Sequence, residues 1–245
     1  MSAAQRVIVA GLAALACTGF VALGVWQLER RTWKHELIAR VEQRVHAAPL
    51  AAPGPDAWPS TSAARDEYRR VRLIGSYLHA AETLVQASTE LGLGWWVLTP
   101  LRQADGMLTL VNRGFVPSDR RAARGNAAGG TADNLAGEVT VVGLLRLSES
   151  GGSLLQRNRP HDGRWYSRDV AAIAAARGLG QVAPWFVDAE QAGPALPDAP
   201  DAPIGGLTVI EFADNHLAYA LTWLALAALA AAAGVGLWRV DGSRL

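Results

Sequence analysis

The chain has 245 residues, half of them hydrophobic and 18% charged, and 23 Lys and Arg against 22 Asp and Glu leave a formal charge of +1. That balance excludes the one-sided basic excess of a nucleic-acid-binding surface, and 25 Gly with 12 Pro exclude a collagen-like or disordered chain. One cysteine, Cys17, with Met1 and Met107 as the only methionines, excludes an intramolecular disulfide, a Cys-rich zinc centre and the thiolate or thioether site of a copper carrier.

From Val7 to Leu28 there is no charged residue, and these 22 residues as a helix reach roughly 33 Å, enough to cross a bilayer core. Ala14-Leu15-Ala16 before Cys17 imitates a processing site, yet the apolar run continues eleven residues past Cys17, so it reads as an anchor. Beyond it, Leu37, Val41 and Val45 recur at four-residue spacing and Glu36 stands four before Arg40, which predicts a helical extension over residues 29–48 stopped by Pro49 and Pro53. The segment from Ala51 to Ala64, with Pro53, Pro55 and Pro59, reads as a loop.

Strand patterns follow at Arg70 to Gly75, Glu82 to Ala87, Trp95 to Leu98, Met107 to Asn112, Val139 to Leu145, Trp185 to Asp188 and Leu207 to Phe212, most bounded by Gly, Pro or Asp. The Ala-rich stretch from Asp169 to Arg177, with an acidic start and Gly178 behind it, predicts one helix. Ala122 to Gly137 reads as a flexible loop, and Pro194 to Gly206, with four prolines, as a stiff lead. A second uncharged run, Leu217 to Trp238, predicts another span of 22 residues. The expected fold is an α+β membrane protein: two transmembrane helices (7–28 and 217–238) flanking a mainly antiparallel, β-rich soluble domain (49–212), a small curved sheet or open barrel.

Trp26 and Trp33 bracket the exit of the first span, and Trp223 and Trp238 lie in or at the end of the second, as interfacial anchors do. Two spans put both termini on one side and the middle region on the other. Arg30, Arg31, Lys34, Arg40 and Arg44 outnumber Arg6, Arg239 and Arg244, so charge alone points the domain to the cytoplasm, although the rule weakens for long loops.

Little in the chain carries catalytic chemistry. Gly178-Leu179-Gly180-Gln181-Val182-Ala183 matches a dinucleotide string but follows a helix rather than a strand, so its glycines lack the context that binds pyrophosphate. The five histidines are not spaced as paired metal ligands, and His35, His46, His79 and His161 read as solvated. His216 stands at the mouth of the second span, where a neutral imidazole can ligate iron. On a helix Tyr219, Ala220 and Trp223 share its face, a bed for a macrocycle. On the first span Trp26, Arg30 and Trp33 share a face beside Arg31, offering cations to propionates. The plainer interpretation of the same residues is membrane anchoring by Trp, His and snorkelling Arg.

The strings from Gly24 to Lys34 and from Asp214 to Trp223, with Trp96 to Leu101, Val111 to Pro117 and Gly143 to Arg146 between them in order, resemble the surfeit locus protein 1 family over nearly the whole chain. Phe115 stands where that family often has Trp, and Asp214-Asn215 where many members have paired Asn. The resemblance implies a non-enzymatic assembly factor for the haem-copper terminal oxidase, cytochrome c oxidase. It implies binding of haem a, with His216 as the iron ligand, and supply of haem to the large catalytic subunit or its stabilisation there. Trp26, Tyr219 and Trp223 would pack the ring, and Arg30 and Arg31 would contact its propionates. The expected partners are that subunit, the haem a synthesis machinery and membrane lipid. The resemblance also overrides the charge count: it implies a domain facing the periplasm in bacteria or the intermembrane space in mitochondria. The short N-terminus without an Arg- and Ser-rich transit peptide makes the bacterial inner membrane, with the domain in the periplasm, the expected place. The alternative is a cofactor-free scaffold that holds oxidase subunits during assembly; an enzyme comes last.

Overall fold

The structure, a computed structural model, describes residues 2–120, 137–151, 156–190, 202–208 and 214–242. The predicted loop at Ala122 to Gly137 and most of the proline-rich lead lie outside the described residues. The elements in chain order are α1 (Ala3–His46), β1 (Leu50–Ala51), α2 (Ala63–Asp66), β2 (Arg70–Tyr77), β3 (Thr83–Thr89), β4 (Gly92–Gln103), β5 (Leu108–Pro117), β6 (Val139–Leu147), α3 (Val170–Ala176), β7 (Val182–Ala189) and α4 (His216–Gly242). They fall into two units, residues 1–40 with 210–245, and residues 41–209.

In the first unit α1 and α4 pair. Both are long and apolar enough to cross a membrane. Phe20, Gly24, Gln27 and Arg31 recur at spacings of four, three and four, so they share one face of α1. Phe20 stacks on Trp223 with ring centroids 5.7 Å apart. A Cβ at Gly24 would lie 3.1 Å from Leu224, and one at Gly234 would lie 3.1 Å from Ala13. Small residues thus let the backbones approach, which is how helices associate where water supplies no hydrophobic drive. The outward faces carry Val7, Leu12, Leu15, Leu221 and Leu229, each 59–70% exposed. Such faces are apolar all round because their solvent is lipid. The span runs on into its expected extension as one helix of 44 residues, since no Gly or Pro interrupts residues 25–48.

In the second unit the sheet order is β1-β2-β6-β7-β5-β4-β3, and β2 also pairs with β4. Strands β2, β6, β7, β5 and β4 therefore close into a five-stranded barrel, with β3 continuing the sheet on the free edge of β4. Most pairings are antiparallel, while β1 with β2 and β5 with β7 are parallel. Closure depends on Gly75, which pairs with Gln103: a side chain there would collide with the backbone carbonyl of Arg102.

The predicted strand at Trp95 to Leu98 is in fact twelve residues long and runs straight through Pro100. Pro100 sits where β4 changes partner on one edge, from β3, whose pairing ends at Leu98, to β2, whose pairing begins at Leu101. No ladder bond is lost there for want of an N–H, so the proline is tolerated. Strands β5 and β7 are also longer than predicted. For Leu207 to Phe212, Leu207 and Thr208 belong to no strand, and Ile210, with the residues around it, lies outside the described residues.

Alternation gives the barrel two cores. Val71, Leu73, Leu101, Val111, Leu145, Trp185 and Val187, from all five barrel strands, fill the interior. Leu98, Leu110 and Phe186 point the other way and are covered by Trp165 and by Val170 and Ile173 of α3. Because β5 and β7 are buried on both faces, apolar residues fall on consecutive positions in them, as at Leu110-Val111 and Trp185-Phe186-Val187. Helix α3 starts where predicted: the Asp169 side chain caps it by accepting from the Ala172 N–H at 3.1 Å.

Candidate functional site

Within the helix-pair unit, polar groups gather at the N-terminus of α4. Asp214 Oδ1 accepts from the His216 backbone N–H at 3.1 Å, satisfying one of the amides a helix start leaves open. Asp214 Oδ2 accepts from His35 Nε2 at 2.6 Å and lies 3.8 Å from Arg31 Nε. The His35 hydrogen bond foremost, with the His216 amide and the charges of His35 and Arg31, outweighs desolvation and holds the Asp214 carboxyl below the usual carboxylate range. The His216 ring turns the other way. Its Nδ1 is 2.8 Å from Gln27 Oε1 on α1, and its Nε2 has no hydrogen-bond partner among the described residues.

The sequence-derived residues divide between two faces. Trp223 is turned to α1 and stacked on Phe20, and Arg31 reaches Asp214. Trp26 and Tyr219 are more than half exposed, and the Arg30 guanidinium lies 4.0 Å over the Trp33 ring. The stripe of Trp26, Arg30 and Trp33 therefore sits beside, not on, the face of α1 that meets His216. Sequence reasoning missed Gln27 and treated His35 as merely solvated. The available signal was the four-residue spacing of Gln27, Arg31 and His35, polar positions continuing the line of Phe20 and Gly24.

Among the described residues no three His, Cys, Asp or Glu side chains converge as a metal site. A bare ion would therefore be poorly held, whereas iron that brings its own four ring nitrogens needs a single imidazole. The accessible lone pair expected on His216 suits that need. Arg31 Nε is buried without a hydrogen-bond partner although its charge faces Asp214 at 3.8 Å, which leaves its hydrogen-bonding capacity open to an acidic group. The residues fit haem on these two counts.

The barrel unit holds a second polar cluster. Asp188, 4% exposed, accepts from Asn112 Nδ2 at 2.7 Å, Arg146 Nη1 at 3.0 Å, Arg168 Nη1 at 3.1 Å and Thr208 Oγ1 at 3.1 Å. Arg146 also donates to Glu67 at 2.8 Å, and Arg168 to Glu149. Trp96, Ser88 and Thr89 join these groups around a cavity of about 250 Å³. Each guanidinium touches two carboxylates and the two share Asp188, so two cations meet three anions, and the network ties β6, β7 and the segment before α3 together as a clamp on the barrel. His79, expected to be solvated, is half-buried instead: its Nδ1 is 3.5 Å from Arg113 Nη1 and its Nε2 is buried. The turn after β2 folds it back beside Tyr77 rather than into water.

The profile of the SURF1 family matches residues 14–228. The Surfeit locus protein 1 of Mus musculus is 34% identical over 224 residues, covering 84% of this chain and 68% of that protein. That of Homo sapiens is 33% identical over 225 residues, covering 84% and 69%, and a SURF1-like protein of Monosiga brevicollis is 35% identical over 234 residues, covering 91% and 84%. The matched span takes in α1 from residue 14, α4 as far as residue 228, the barrel and its Asp188 clamp, and this chain belongs to the SURF1 family.

Proposed function

We propose that the protein is a membrane-bound assembly factor for the haem-copper terminal oxidase, which binds haem a at His216 and hands it to, or stabilises it in, the large catalytic subunit. The observation that carries this reading is the His216 ring, held through one nitrogen by Gln27 while the other lacks a partner among the described residues. Haem bound there would supply an iron that accepts the imidazole lone pair. His216 would ligate it, Arg31 would turn its guanidinium from Asp214 to a propionate, and the exposed rings of Trp26 and Tyr219 would supply aromatic surface, with Trp223 doing so only by leaving Phe20. The role is binding and delivery, with no catalysed reaction. The accompanying proposal for location is a bacterial inner membrane with the barrel on the periplasmic side, haem a synthesis machinery and membrane lipid being the further partners.

The test is the absorption spectrum of detergent-purified protein co-expressed with haem a synthesis. A Soret band is expected that His216→Ala removes; an unchanged band rejects His216 as the ligand. A second reading, a cofactor-free scaffold for oxidase subunits, is favoured by one observation: Trp223, Arg30 and Arg31 already engage Phe20, Trp33 and Asp214. It predicts haem stoichiometry near zero while the oxidase subunit still co-purifies.

A further inference from the structure

Which nitrogen of His216 faces outward is decided by its neighbours. The nearest carboxylate, Asp214, is spent elsewhere: one oxygen takes the His216 backbone N–H and the other takes His35, with Arg31 alongside. The only side chain that hydrogen-bonds the ring among the described residues is Gln27, whose Oε1 lies 2.8 Å from Nδ1. An amide oxygen has lone pairs and no proton, so the bond forms only if Nδ1 carries the hydrogen. The neutral ring then keeps its lone pair on Nε2. Gln27 lies one turn from Gly24, where the missing side chain sets the close approach of α1 to α4. The helix packing therefore fixes the height of the acceptor relative to the imidazole.

We propose that Gln27 is the positioning residue for His216: it locks the ring in the Nδ1–H tautomer and aims the Nε2 lone pair at the incoming iron. This rests on the haem reading above. It adds that the ligand is prepared by the opposite helix before haem arrives, as an outer-shell acceptor orients a metal-binding histidine and raises its basicity. Gln27 touches no reacting atom; it acts through His216.

Two measurements test it. Nitrogen NMR of the haem-free, detergent-solubilised full chain with labelled histidine, at a pH where the ring is neutral, should show His216 protonated at Nδ1, and Gln27→Leu should move the proton to Nε2. A wild-type ring protonated at Nε2, meaning that the glutamine amide donates instead, or a tautomer indifferent to Gln27→Leu, overturns the proposal. In haem-loaded protein, Gln27→Leu should weaken haem retention by roughly 10- to 100-fold, and Gln27→Glu, which keeps an acceptor, should restore retention with a shifted Soret band. Unchanged retention and spectrum in Gln27→Leu, with His216→Ala losing the band, overturns the positioning role alone. A band that survives His216→Ala overturns the haem site, and the tautomer experiment still decides what Gln27 does to the ring.

Discussion

Replacing Asp188 with Ala removes the anion that two guanidiniums share. Asp188 is 4% exposed and accepts four hydrogen bonds, two of them from Arg146 and Arg168. Removing one partner of a buried pair costs about 3–5 kcal/mol, because the other charge is left desolvated and unmatched. Here each arginine keeps a glutamate, Glu67 for Arg146 and Glu149 for Arg168, so the lower end, about 3 kcal/mol, is expected. With a urea dependence of ~2 kcal/mol/M, that lowers the unfolding midpoint by about 1.5 M. Trp165 and Trp185 are buried in the barrel unit, so tryptophan fluorescence during urea unfolding of the detergent-solubilised chain reports the loss. A midpoint within about 0.3 M of wild type would refute the clamp, since this shift is only ~0.6 kcal/mol at the same slope.

Glu149, 39% exposed, gives a smaller and pH-dependent effect. Burial pushes its carboxyl up, but the Arg168 hydrogen bonds and charge outweigh this and hold it below the ordinary range. A depressed carboxylate contributes stability in full above its unfolded pKa, about 4.3, and loses it as pH falls through the folded value. Glu149→Gln should therefore cost no more than about 1 kcal/mol at neutral pH, and the gap to wild type should close in acid; a gap that widens in acid would show the sign to be wrong. Gly75→Ala should destabilise by about 1–3 kcal/mol through overpacking against the Arg102 carbonyl. Gly180→Ala, in open space, should leave the urea midpoint unchanged; equal effects of the two would mean that barrel closure does not depend on a bare backbone at residue 75.

Local chemistry made much of this protein legible from its residues. The two uncharged runs had to be helices that face lipid, because only a helix satisfies its own backbone there. Asp169 and Gly178 bracketed α3 correctly because capping acts within one turn. Alternation marked β2, whose residues are buried and exposed in turn, whereas Pro100 misled, because whether a missing N–H matters depends on which strand lies alongside.

Tertiary structure decided the rest. Barrel closure joins Gly75 to Gln103, and the Asp188 clamp gathers Asn112, Arg146, Arg168 and Thr208 from separate segments. In the helix pair Gln27 meets a histidine 189 positions away. Periodicity reports which side of an element is apolar and is silent on which element that side will meet. It placed His216 at a membrane edge; only the packing of α1 on α4, set by the small residues at Gly24 and Gly234, selected the side chain that holds its ring.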